Sequence, residues 1–256
     1  MINEVKEGYV KSETHKGITT IEFFHLKSNS LPGKILEELT QAIHGAGNDI
    51  DTKVIILRSG GEKAFCAGAS FDELSAIKNE EEGLLFFSGF ANVINAMRVC
   101  PKFIIGRIQG KCVGGGVGLA AAVDYAIAVE SADIKLSELS MGLGPFVVGP
   151  AVERKIGKSA FSQLAIDAHM WRNGDWAKRK ALFAELHPSI EQMDESINRL
   201  AESLAHSNPE AMAEMKKIFW EGTENWDTLL LDRAAISGRL VLSDFTKEAI
   251  RKFKKR

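Results

Sequence analysis

The sequence predicts an α/β fold followed by a helical region. Two observations carry this. Short β-branched runs alternate with runs whose apolar residues recur at helical spacing, up to about Leu143. From Gly149 to Arg256 the patterns become mostly helical, punctuated by Pro188 and Pro209.

Ile18 to Phe24 is β-branched and aromatic, hence a strand. Leu31 to His44 places Ile35, Leu36, Leu39 and Ile43 at helical spacing, with Pro32 near its start. Val54 to Leu57 is a continuous apolar strand of the kind buried on both faces, ended by Gly60 and Gly61. Leu84 to Met97 reads as a helix and Phe103 to Ile108 as the next strand. Val117 to Val123 is small and apolar, a tightly packed helix start. Tyr125 to Val129 is another buried strand, and Asp133 to Leu136 alternates. Asn208 is placed to cap a helix that begins at Pro209. No internal repeat or low-complexity segment is evident.

Composition narrows the function classes. The chain has 256 residues, 45% hydrophobic and 26% charged, which is ordinary for a globular protein with a core that needs no staples. A net charge of -2 gives no reason to expect nucleic acid or an anionic membrane surface as partner. Cys66, Cys100 and Cys112 are odd in number and lack C-x-x-C spacing, so neither a disulfide framework nor a metal site is indicated. The six histidines are scattered, with no helical metal pair. Free thiols fit a reducing cytoplasm. Met1 to Glu7 lacks the apolar run of a signal peptide, and no apolar run reaches membrane-spanning length.

Three segments carry chemistry. The first is the turn Lys63 to Leu74, in which Ala67, Gly68 and Ala69 follow a strand and Ser70 is placed to cap a helix. Its bland reading is a β–α turn using Gly68 for a positive φ. The second is Gln109 to Ala120, with Gly114, Gly115, Gly116 and Gly118 within five positions. A glycine-lined turn before a helix exposes backbone N–H groups, and the helix dipole favours negative charge there. Such a site suits a developing oxyanion. The loose G-x-G-x-x-A match lies too deep in the chain for a dinucleotide site, and Glu130 follows strand 125–129 too soon. Close helix–strand packing is the bland alternative. The third is Glu138, a carboxylate among Leu136, Leu139, Met141, Leu143 and Phe146. Apolar neighbours would raise its pKa toward a useful base strength; otherwise it is a solvated loop residue. The basic stretch Arg251 to Arg256 is either a helix end complementing its dipole or a phosphate contact.

Taken together, the segments resemble the crotonase, or enoyl-CoA hydratase/isomerase, superfamily. The resemblance covers almost the whole chain. It runs through Asn29-Ser30-Leu31, Ala64 to Ala69, Gln109-Gly110 into Gly114-Gly115-Gly116, Asp124-Tyr125, Glu138, Ile156-Gly157-Lys158 and the helical C-terminus. It implies a crotonase-like spiral of repeated ββα units over residues 1–190 and a C-terminal helical region over 191–256. It implies an acyl-CoA thioester substrate, no separate cofactor, and a homotrimer or dimer of trimers. The two oxyanion N–H groups carry over onto Ala69 and Gly115, and the catalytic carboxylate onto Glu138. The CoA moiety is expected along Ala67, Gly68, Ser70, Phe71 and Gly114, with help from Leu26 and Lys27. The basic C-terminal end, from this or a neighbouring subunit, is expected at the phosphates.

One departure chooses between reactions. Hydratases of this family use two glutamates, and one of them would fall where this chain has Gly118. A single carboxylate more naturally moves one proton between two carbons, which is the chemistry of the 3-enoyl-CoA isomerases. Asn29-Ser30-Leu31 and the text around Glu138 also look more like theirs. Ser70, where many members carry Asp, is a further departure. Hydratase, decarboxylase or thioesterase activity, a non-catalytic acyl-CoA binder, and a Rossmann dehydrogenase remain the alternatives.

Overall fold

The computed structural model describes residues 8–254; the expectations for Met1 to Glu7 and for Lys255 and Arg256 lie outside them. β1 (Tyr9–His15) and β2 (Ile18–Phe24) form an antiparallel hairpin. Its turn residues Lys16 and Gly17 both have positive φ, 49° and 81°, the twist that a two-residue hairpin requires. The polar text of β1 hides it from a hydrophobic-pattern reading, because it is a largely exposed edge strand.

β3 (Ser30–Leu31) is followed by α1 (Gly33–Asn48), with Pro32 at the N-cap. Leu31, read above as the helix start, is extended instead and pairs with Ala69. β4 (Val54–Ser59), β5 (Ala64–Cys66) and β6 (Gly68–Ala69) lead into α2 (Phe71–Ala76) and α3 (Glu80–Val99). The latter starts four residues before Leu84, because the Asn79 side chain accepts from Glu82 N–H at 2.8 Å and three glutamates occupy the first turn. β7 (Phe103–Ile108), β8 (Lys111–Val113), α4 (Gly115–Ala122), β9 (Tyr125–Val129) and β10 (Ile134–Lys135) follow. A 3₁₀ turn at Glu138–Met141 then precedes α5 (Gly149–Ile166), which is broken at Gly157, and α6 (Gly174–Arg179). β11 (Glu185–His187) interrupts the region read as helical; it is short, polar and recognisable only by its pairing with β9. α7 (Ile190–Ala205), α8 (Pro209–Phe219), α9 (Trp226–Leu240) and α10 (Asp244–Lys254) complete the chain.

The main sheet has the order β1-β2-β4-β7-β9-β11 and is parallel beyond the β1–β2 hairpin. A second parallel sheet has the order β10-β8-β5. From β4 onward the chain gives a strand to the large sheet (β4, β7, β9), the next to the small sheet (β5, β8, β10) and then a helical segment, while β3 of the first turn pairs with β6 in a separate two-stranded sheet. This is the ββα spiral. The helices after residue 190 share its core: Met193, Ile197, Ala201, Leu230 and Ala234 belong to the same apolar cluster as β4, β7 and β9. α9 meets α3 at backbone contact, since a Cβ on Gly83 would stand 2.6 Å from Gly238 Cα.

Candidate active site

The loop before α4 is built around Gly114. Its φ of 52° with ψ of -114° is open to glycine and hardly to other residues. Its N–H donates to Lys135 O at 2.9 Å, which hangs the loop on β10. Gly115 is the first helical residue, so its N–H has no carbonyl a turn earlier to bond. The other glycines answer to packing. A Cβ on Gly115 would stand 2.3 Å from the Phe90 ring, on Gly116 2.2 Å from Cys66 O, and on Gly118 2.4 Å from Val148 Cγ1. Close packing therefore accounts for the glycines at 115, 116 and 118, and backbone conformation for Gly114.

The second turn lies against the first. A Cβ on Gly68 would stand 3.1 Å from Val113 O and 3.6 Å from Gly115 N. Buried Asn29 braces this turn from outside, donating to Gly60 O and Ala64 O at 2.9 Å each. Ser30 Oγ donates to Ala69 O at 2.7 Å. Gln109 Nε2 donates to Ser59 Oγ at 2.7 Å and ties β7 to the same loop. Ser70 caps α2 by accepting from Glu73 N–H at 3.4 Å.

Glu138 opens the 3₁₀ turn and faces the glycine loop, with Oε1 3.0 Å from the Cβ position of Gly114. The residue is half-buried, but Oε2 is sealed from solvent and has no hydrogen-bond partner. Burial pushes the carboxyl up to about 7, against the smaller effect of a hydrogen bond from its own backbone. An unpaired buried oxygen carries a desolvation cost that packing does not explain. α10 steadies the turn: Thr246 Oγ1 donates to Gly142 O at 3.2 Å, and Phe245 packs on the same glycine.

These groups line one cavity of about 810 Å³. Ala67, Gly68, Ala69, Phe71, Gly114, Gly115 and Glu138 are all on its wall. Ser70, Leu26 and Lys27 are not; Ser70 is spent on the α2 cap, and Lys27 pairs with Asp72 outside. Phe86, Phe87, Phe90, Phe146 and Trp171 give the cavity its apolar character. Of the basic end, Lys252 reaches the cavity, while it and Arg251 also pair with Glu248. Sequence reasoning missed Val148, Lys135, His169 and Phe245, each of which lines the cavity. No local pattern marks them: Lys135 and Val148 lie near Glu138 in the chain but carry no motif, and His169 and Phe245 arrive from distant segments.

Among the described residues Glu138 and Glu248 are the two acids on the cavity wall. The Gly118 position is closed by Val148. Asp72 pairs with Lys27, and Glu73 accepts Gly33 N–H at 2.8 Å. Asp124 is consumed by buried Lys216, at 2.8 Å, and by Ile104 N–H. Glu248, the other acid on the cavity wall, is paired as described.

The model of the enoyl-CoA hydratase/isomerase family matches residues 13–253. The chain belongs to that family. It is an enzyme of the crotonase superfamily. Methylglutaconyl-CoA hydratase, mitochondrial, of Mus musculus is 30% identical over 200 residues, covering 77% of this chain and 63% of that protein. The peroxisomal Delta(3,5)-Delta(2,4)-dienoyl-CoA isomerase of Arabidopsis thaliana is 26% identical over 266 residues, covering 95% and 94%. The crystal structure of enoyl-CoA hydratase from Bacillus halodurans superposes with a TM-score of 0.88 at 20% identity, covering 95% of this chain and 99% of that one. These relatives of the crotonase enzyme differ in reaction by name, so membership leaves its own reaction to the geometry of Glu138.

Proposed function

We propose that this crotonase enzyme isomerises 3-enoyl-CoA to trans-2-enoyl-CoA with one glutamate. The observation that carries the reading is Glu138 as the unaccompanied carboxylate at the glycine loop, with a sealed, unpaired Oε2. In this reading the N–H groups of Ala69 and Gly115 receive the thioester oxygen. Glu138 takes the α-proton, and the C–H electron pair moves into the enolate, whose oxygen the two N–H groups stabilise. The dienolate is then reprotonated by Glu138 at the γ-carbon, which leaves the double bond at the 2-position. A base near pKa 7 suits both halves of this shuttle. The pantetheine and adenine portions would follow Ala67 to Phe71, past Leu26 and Lys27 at the mouth, with Lys252 toward the phosphates.

Syn hydration would need a second acid to handle water, and Val148 occupies the space where Gly118 would have to become that acid. The test is a proton NMR time course in D2O with 3-hexenoyl-CoA and, separately, crotonyl-CoA. Conversion of the first without hydration of the second supports the proposal. Formation of 3-hydroxybutyryl-CoA from the second would replace it with a hydratase.

A further inference from the structure

The cavity holds a cation that the isomerase chemistry does not use. Lys135 lines the wall, yet among the described residues its ammonium makes no ion pair and no hydrogen bond. Its neighbour is the Trp171 ring, 5.4 Å away, and Lys111 approaches the same ring at 4.8 Å. The β8–β10 register explains the pairing. Lys135 stands opposite Val113, another cavity residue, and Lys111 is two residues earlier on the same side of that strand. Glu138 forms no ion pair with it, and the Glu138 Oε2 has no hydrogen-bond partner. Two like charges are thus gathered on one indole, and among the described residues neither makes an ion pair. A half-buried ammonium at an apolar wall favours an incoming anion more than a solvated one does.

We propose that Lys135, backed by Lys111 and oriented by Trp171, recognises a carboxylate on the acyl group, so that the preferred substrates are CoA thioesters of dicarboxylic acids. This rests on the acyl-CoA reading above. The alternative source of the same anionic chemistry is a phosphate of CoA itself.

Calorimetric titration separates these. Succinyl-CoA and glutaryl-CoA are compared with butyryl-CoA and pentanoyl-CoA, together with the phosphate-free pantetheine thioesters of all four acids. The wild-type protein should bind the carboxylated ligand of at least one pair about tenfold more tightly, roughly 1.4 kcal/mol, with or without the phosphates. K135M should abolish that preference and K135R should keep it. Equal binding within both pairs, or a preference that survives K135M, overturns the proposal while leaving the acyl-CoA reading intact. Weakening of every CoA thioester by K135M, with pantetheine thioesters unaffected, reassigns the lysine to a phosphate and also overturns it. Failure of all the CoA thioesters to bind removes both readings.

Discussion

Replacing Glu138 by glutamine should change how stability depends on pH. The wild-type carboxyl is lifted from its ordinary 4.5 to about 7 by burial. Between these values the folded protein holds a proton that the unfolded chain has released. Stability therefore falls as pH rises from about 4.5, and the full penalty is present above about 7. At 1.36 kcal/mol for each decade of displacement, the penalty is roughly 3 kcal/mol. The glutamine variant cannot ionise and escapes it. Any cost of the amide's own unmet hydrogen bonds is the same at every pH and cancels in the comparison. For a domain of this size roughly 3 kcal/mol corresponds to about 6–12 °C in Tm. Differential scanning calorimetry of both proteins at pH 5 and pH 8.5, at one protein concentration, should show the Tm difference, variant minus wild type, growing by about 5–10 °C, because roughly a quarter of the penalty is already present at pH 5. Parallel curves would refute the claim that the carboxylate is desolvated, and with it the basis for treating Glu138 as a tuned base.

The same variant should lose about 10²–10⁴-fold in kcat on 3-hexenoyl-CoA while its calorimetric affinity for acyl-CoA stays within a few-fold. In the wild type, kcat/KM should rise with pH through about 7, because the ionised form of Glu138 is the one that accepts the proton. Gly116→Ala should destabilise by roughly 1–3 kcal/mol in urea titration, since the new methyl meets the Cys66 carbonyl at 2.2 Å and that backbone cannot swing away. Lys216→Met should cost roughly 3–5 kcal/mol by the same measurement, because Asp124 would lose its buried partner; Lys216→Met with Asp124→Asn should recover part of it.

The local physics of the chain decided a good deal. Continuous apolar runs such as Val54 to Leu57 can be buried only on two faces, so the parallel sheet with crossovers followed from them. Gly114 marked a backbone that other residues hardly adopt, and its neighbours marked a crowded helix start. Glu138 stood out as a charge in apolar text. Caps at Ser70 and Asn208 were legible because capping depends on residues two or three positions apart. What the text could not carry was distance through space. β1 and β11 are polar, and pairing makes them strands. The sealing of Glu138 Oε2 depends on its tertiary surroundings, and the closure of the Gly118 position depends on Val148, thirty residues away. Lys135 became a cavity cation only when β10 was laid beside β8 and Trp171 was folded across it. Desolvation and charge recognition depend on what surrounds a group in three dimensions, so residue types announced the chemistry and tertiary packing decided which groups face the substrate space.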